Sequence, residues 1–187
     1  LERSEIRGCE RTGFVLSTSP PPPPRISRTH KFLHTMGGLR VGFVGSGMMA
    51  EALAGGFDAS GVAKFVDMSC IDRNQPRLDL FASWGVTPRA SNHEVAANCD
   101  VVFIAVKPYG VAAVLEEMRP VLGKDTLVVS IAAGVTIATM EAAAGPGVPI
   151  VRVMPNTPCL VQCVAAGMSA GTFCGKKHTE LVSKLFN

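Results

Sequence analysis

Gly45-Ser46-Gly47-Met48-Met49-Ala50 follows the apolar run Val41-Gly42-Phe43-Val44 and precedes Glu51-Ala52-Leu53-Ala54. The order strand, G-x-G-x-x-A, helix leaves few folds open, because each small residue answers a steric demand. Gly45 permits a tight turn after the strand. Gly47 lets backbone approach a bound pyrophosphate with no Cβ between them, and Ala50 lets the helix lie close on the strand. The N-terminus of that helix offers unpaired N–H groups to phosphate oxygens. Alone the string is weak, since glycines gather in many turns. Its place between a strand and a helix makes it specific, against the plainer reading of a simple strand–turn–helix joint.

The rest of the chain continues the alternation. Strands are predicted over Arg40–Gly45, Met68–Asp72, Val86–Pro88, Asp100–Val106, Thr126–Ile131 and Ile150–Met154. Helices are predicted over Met49–Ala59, Pro76–Trp84, Asn92–Asn98 with Ser91 as its cap, Val111–Arg119 and Ile137–Ala144. The β-branched run of Asp100–Val106 reads as a strand buried on both faces. Strict alternation requires right-handed crossovers and a parallel sheet, so the expected fold is α/β, a doubly wound Rossmann-type, mostly parallel sheet. Lys176–Phe186 reads as the opening turns of another helix, with Leu181, Val182 and Leu185 on one face. It halts at Asn187 without a cap, which suggests that the chain is incomplete.

Composition narrows the class further. Hydrophobic residues at 47% and charged residues at 18% are those of a globular protein. The aromatic share of 6% implies a core built mainly from Val, Ala, Leu and Ile. Residues 1–40 carry seven Lys/Arg against three acids, a net +4, whereas residues 41–187 carry eleven against twelve, a net −1. The part expected to fold has no basic footprint for nucleic acid. The longest apolar runs, Val101–Val106 and Leu127–Ala133, fall far short of the ~18–20 residues of a membrane helix. Neither a nucleic acid nor a membrane is expected as a partner.

Six cysteines (Cys9, Cys70, Cys99, Cys159, Cys163, Cys174) form no CxxC pair and read as buried thiols of a reducing compartment. Cys159 and Cys163 lack companions at zinc-ligand spacing, so no metal site is expected. The four histidines, His30, His34, His93 and His178, show no partner pattern and are expected on the surface.

Residues 1–35 have no hydrophobic period and contain Pro20 to Pro24, so a disordered tail is expected. Met36 leads directly into the first strand and is read as the true start, with residues 36–187 forming the folded domain. The tail before it is then translated untranslated region or cloning sequence. The rival is a plastid or mitochondrial transit peptide, since the tail is rich in Arg and Ser, although its three glutamates argue against that. A cytoplasmic location follows from the first reading.

Four further segments fall where strands end, the edge at which an open α/β sheet binds its ligand. Asp72 ends the second strand and could accept hydrogen bonds from a ribose 2′-OH, whereas Arg73 and Asn74 could instead clasp a 2′-phosphate. The carboxylate would repel that phosphate unless turned away or paired with Arg73, and Asp72 could equally cap the next helix. Ala105-Val106-Lys107-Pro108 ends the long buried strand. Ser130 to Thr136 ends the next, where Ala132, Ala133 and Gly134 leave room for a ring. Arg152-Val153-Met154-Pro155-Asn156-Thr157-Pro158 ends the last. Any one of them would pass as an ordinary loop, but together with the fingerprint they describe one ligand edge.

These stretches, VGFVGSGMMAEALAGGF, AVKP, VVSIAAGVT and RVMPNTP, in this order and spacing, resemble the N-terminal domain of pyrroline-5-carboxylate reductases, from Leu39 to about Asn187. The resemblance implies that Val44, Gly45, Ser46, Gly47, Met48 and Met49 hold the pyrophosphate of NADPH or, as the alternative, NADH. Ala105, Val106, Lys107 and Pro108 would line the path from adenosine to nicotinamide. Asn92 matches a family asparagine that touches the cofactor, and Ala132, Ala133, Gly134, Met154, Pro155 and Asn156 would border the nicotinamide. It further implies hydride transfer to the C=N carbon of 1-pyrroline-5-carboxylate, giving L-proline. The family continues into a helical C-terminal domain that forms its homo-oligomer and supplies most of the substrate site. No catalytic residue is therefore assigned within this chain. Two other readings remain open: another NADP-linked reductase of related fold, and a stand-alone dinucleotide-binding module.

Overall fold

A computed structural model describes residues 38–155 and 166–186. The expected tail, Cys9, Cys159, Cys163, His30, His34 and Asn156 lie outside the described residues. β1 (Val41–Val44) is buried at all four positions, as are β4 (Val101–Ile104) and β5 (Leu127–Ser130). Strands covered on both faces read as continuous apolar runs, and these do. β2 (Met68–Ile71), β3 (Thr87–Pro88) and β6 (Ile150–Pro155) complete the parallel set. Interleaved with them are α1 (Met48–Ser60), α2 (Gln75–Ser83), α3 (Asn92–Asn98), α4 (Val111–Met118) and α5 (Ile137–Ala144), with α6 (Lys176–Phe186) last.

With β7 (Ala166–Ala170) at the far edge, the sheet order is β3-β2-β1-β4-β5-β6-β7, and every pair is parallel except the last. The chain leaves β1 toward β2 and β3, then crosses to β4 on the other side. Val44 pairs with both Ile71 and Ile104, so β1, β2 and β4 end level. Side chains alternate across the sheet. Val41, Phe43, Val101, Phe103, Val151 and Val153 face α1, α2 and α6. Val44, Val102, Ile104, Val128 and Ile150 face α3, α4 and α5. The doubly wound α/β reading is thus correct. Gly42 has a packing role: a Cβ there would stand 2.5 Å from Val95 and 2.9 Å from the Cys99 thiol, so α3 rides on β1 only because that position is bare.

Two expectations change. A seventh strand, β7 (Ala166–Ala170), pairs antiparallel with β6 and breaks the strict alternation. Aromatics are few but concentrated: Phe43, Phe57, Phe81 and Phe103 are fully buried, and Phe43 lies 5.4 Å from Phe103 and 6.3 Å from Phe57 between ring centroids. The core is nonetheless built mainly from Val, Ala, Leu and Ile, as expected, with these rings packed together on one face. His178, expected on the surface, is 4% exposed. It shares the inner face of α6 with Val182 and Leu185, the i, i+4, i+7 spacing of a buried helix stripe. His93 is half-buried. No helix among the described residues is long and apolar enough to cross a membrane.

Candidate dinucleotide site

The reversal of strand order between β1 and β4 opens a crevice at the carboxyl ends of the parallel strands. The glycine-rich turn enters it from β1. The Gly45 N–H donates to the Ile71 carbonyl at 2.9 Å, and the Ala105 N–H donates to the Val44 carbonyl at 2.8 Å. Gly45 has φ +93°, and a Cβ there would lie 2.7 Å from the Ala105 carbonyl oxygen. The turn and the Ala105–Pro108 segment therefore touch through Gly45.

Gly47 is the N-cap of α1 and brings no side-chain bond to it. Nothing lies within 4 Å of where its Cβ would stand, although the preceding residue, Ser46, is fully buried. Space is thus open beside the N-terminus of a 13-residue helix, whose first N–H groups have no partner within the helix. Met48 is exposed, Met49 half-buried, and Ala50 buried against β1 as its small size allows.

Asp72 resolves one question left open by the sequence. Its Oδ2 accepts the Ser46 N–H at 2.6 Å and its Oδ1 accepts the Asn74 N–H at 2.9 Å. One carboxylate oxygen is thus bound to the glycine-rich turn and the other to the backbone just after Asp72 itself. It does not cap α2, whose N-cap is Asn74 without a side-chain bond. Arg73 and Asn74 are exposed beside it.

Two residues that motif reading passed over complete the turn. Arg77, in the first turn of α2, donates through Nε to the Ser46 carbonyl at 2.6 Å and through Nη2 to Glu51 Oε2 at 2.6 Å. Its guanidinium lies 5.9 Å from the centre of the buried Phe81 ring. The signal for them was an acid in the first turn of a phosphate-facing helix, which needs a cation nearby.

At the other strand ends, Ala105 and Val106 are half-buried, while Lys107, Pro108 and Tyr109 are exposed. The buried Ser130 hydroxyl accepts the Ala132 N–H at 3.3 Å, and Gly134 turns the loop at φ +75°. Ala133 and Gly134 are exposed and Ala132 is buried. Met154 is exposed, with the Arg152 guanidinium 3.4 Å from its sulfur, and Pro155 closes β6. Asn92 stands elsewhere in its contacts: its amide donates to Glu117 at 2.8 Å and ties α3 to α4.

The residues fit a dinucleotide. The open space over Gly47 suits a pyrophosphate, and the one carboxylate closest to the turn already has its charge satisfied. A shallow depression of about 730 Å³, lined by Ser60, Gly61, Val62, Glu180, Ser183 and Lys184, lies at the far end of α1 and takes no part in this edge. Among the described residues no three His, Cys, Asp or Glu side chains gather as metal ligands would.

Comparison with known proteins agrees with this arrangement. The profile of one protein family, described as NADP oxidoreductase, coenzyme F420-dependent, matches residues 40–134. Pyrroline-5-carboxylate reductase 3 of Mus musculus is 38% identical over 146 residues, 78% of this chain and 53% of that protein. A pyrroline-5-carboxylate reductase of Coxiella burnetii superposes with a TM-score of 0.74 at 34% identity, covering 79% of this chain and 55% of the other. A pyrroline carboxylate reductase of Plasmodium falciparum, solved with NADP bound, gives 0.72 at 30% identity, covering 82% and 56%. The chain thus spans about half the length of the relatives it matches.

Proposed function

This chain belongs to the NADP oxidoreductase family described as coenzyme F420-dependent, and from that membership we propose that it is the dinucleotide-binding half of a pyrroline-5-carboxylate reductase. The observation that carries the reading is the bare N-terminus of α1 behind Gly47, set at the reversal of strand order, with the Ala105–Pro108 segment against Gly45. Similarity to the reductases of Mus musculus and Coxiella burnetii supports it.

In this reading Val44 to Ala50 hold the pyrophosphate through backbone N–H groups and the dipole of α1. Both Asp72 oxygens are taken by backbone donors, and the exposed side chains of Arg73 and Asn74 beside it meet a 2′-phosphate, which favours NADPH over NADH. Ala105 to Pro108 line the dinucleotide, and Ala132, Ala133, Gly134, Met154 and Pro155 border its nicotinamide end. The reduced cofactor supplies a hydride to the imine carbon of 1-pyrroline-5-carboxylate, and the ring nitrogen takes a proton to give L-proline. The small residues after β5, Ala132, Ala133 and Gly134, leave that face open to the substrate. The groups that grip the substrate carboxylate and imine belong to the half of the reductase that this chain does not span, as does the surface of its homo-oligomer.

The test is a fluorescence titration of this chain with NADPH and NADH, run beside an assay for proline formation from 1-pyrroline-5-carboxylate. Binding of NADPH more tightly than NADH, with no proline formed, is expected. Failure to bind either dinucleotide would sink the reading. Proline formed by this chain alone would overturn the assignment of the substrate groups to the other half.

A further inference from the structure

The peptide groups on either side of Ser46 are held from opposite partners. The Ser46 N–H is taken by Asp72 at 2.6 Å, and the Ser46 carbonyl by Arg77 at 2.6 Å. The described residues contain no cis peptide bond. A trans peptide is planar, so its C=O and N–H point in opposite directions. Drawing the Ser46 carbonyl toward α2 therefore aims the N–H of the next residue, Gly47, away from α2. That is the donor beside the open space at the start of α1.

Arg77 is itself fixed at three points. One nitrogen is on the Ser46 carbonyl, another on Glu51, and the plane lies over the buried Phe81 ring. Its side chain is 24% exposed, and that of Glu51 is 38% exposed. The same contact answers the charge of Glu51, which otherwise stands uncompensated in the first turn of α1 where an anion would bind. Arginine suits the task because its planar fork delivers two donors in fixed directions; a lysine ammonium is a single point charge.

We propose that Arg77 is a positioning residue for the pyrophosphate: it orients the Ser46–Gly47 peptide and neutralises Glu51, while touching no part of the dinucleotide. This rests on the dinucleotide reading above. Because pyrophosphate is common to NADPH and NADH, loss of Arg77 weakens both alike. A residue that contacts the 2′-phosphate would weaken NADPH alone.

The experiment measures Kd for NADPH and for NADH, with the thermal midpoint, in the wild-type chain, Arg77→Gln and Arg77→Lys. Arg77→Gln is expected to raise both constants about tenfold, since preorganised charge-assisted hydrogen bonds are lost. The ratio of the two constants stays as in the wild type. Arg77→Lys is expected to restore the melting midpoint but only part of the affinity, and it carries the test if the glutamine variant does not fold. Affinities within twofold of wild type in both variants would overturn the proposal while leaving the dinucleotide reading intact. Selective loss of NADPH would also overturn it, by placing Arg77 on the 2′-phosphate. A wild-type chain that binds neither dinucleotide removes the reading, and the proposal with it.

Discussion

Gly45 sits at φ +93°, where a side chain is strained, and an added Cβ would meet the Ala105 carbonyl oxygen at 2.7 Å. Gly47, two residues on, has φ −70° and nothing within 4 Å of its missing Cβ. The two glycines of one motif are thus needed for different reasons, and alanine separates them. Gly45→Ala should destabilise the fold by about 1–3 kcal/mol through backbone strain and displacement of the β4 end. Gly47→Ala should leave the urea midpoint near wild type, because the space exists, yet weaken dinucleotide binding by filling it. Urea unfolding and a dinucleotide titration on both variants check this. Equal stability loss in the two would mean that Gly47 is a folding glycine and not a ligand glycine.

At the scale of elements, α3 shows how short a helix can be when its ends are well made. The Ser91 hydroxyl accepts the Glu94 N–H at 3.2 Å, and the Glu94 carboxylate reaches back to the Ala90 N–H at 3.3 Å. Ser91→Ala should cost about 1 kcal/mol, read as a lower urea midpoint with unchanged slope. This cap was legible in the sequence, as were the bounds of α3 and α5, because capping residues and apolar spacing are local. The strands were legible too, but the sequence reading extended the first five by a residue or two at their ends and stopped β6 one residue short. β7 was not legible. Gly167, Met168, Ser169 and Ala170 are all exposed, so burial imprints no alternation on them, and the strand exists through backbone pairing with β6. His178 was misread for the opposite reason: two lysines precede it and suggest a surface, while its spacing to Val182 and Leu185 had already placed it inside. Gly45, Gly47 and the strand-end loops announce themselves, whereas Arg77 lies 31 residues from the peptide it holds and only the packing of α2 beside α1 reveals it.

For the whole molecule, burial of titratable groups in both cores sets the pH range of stability. Cys99 is 1% exposed beneath α3, and burial pushes its thiol up to about 11. The Ser69 hydroxyl and the cations Arg40 and Arg89 pull the other way but less strongly. Cys70, in the opposite core, and Cys174 are also raised by burial. In the unfolded chain a thiol ionises near 9.0. Below that pH both states keep the proton and the stabilisation is complete; above it the unfolded chain releases its proton first, so stability falls as pH climbs toward 11. Cys99 contributes about 2–3 kcal/mol to that alkaline loss. At the acid end His178 acts with the opposite sign. Burial first, then neighbouring Lys177, hold its pKa below 6.5, and its Nδ1 accepts the Gly175 N–H at 2.9 Å, which a protonated ring could not do. Above pH 6.5 the ring is neutral in both states; below it the unfolded chain takes up the proton first and stability falls. Urea midpoints measured from pH 5 to 10.5 should be level between about 7 and 8.5 and decline on both sides. His178→Asn should flatten the acid limb, and Cys99→Ala the first part of the alkaline limb, each without altering the other. If both limbs keep their slopes in the two variants, other groups set the range and these burial assignments are wrong.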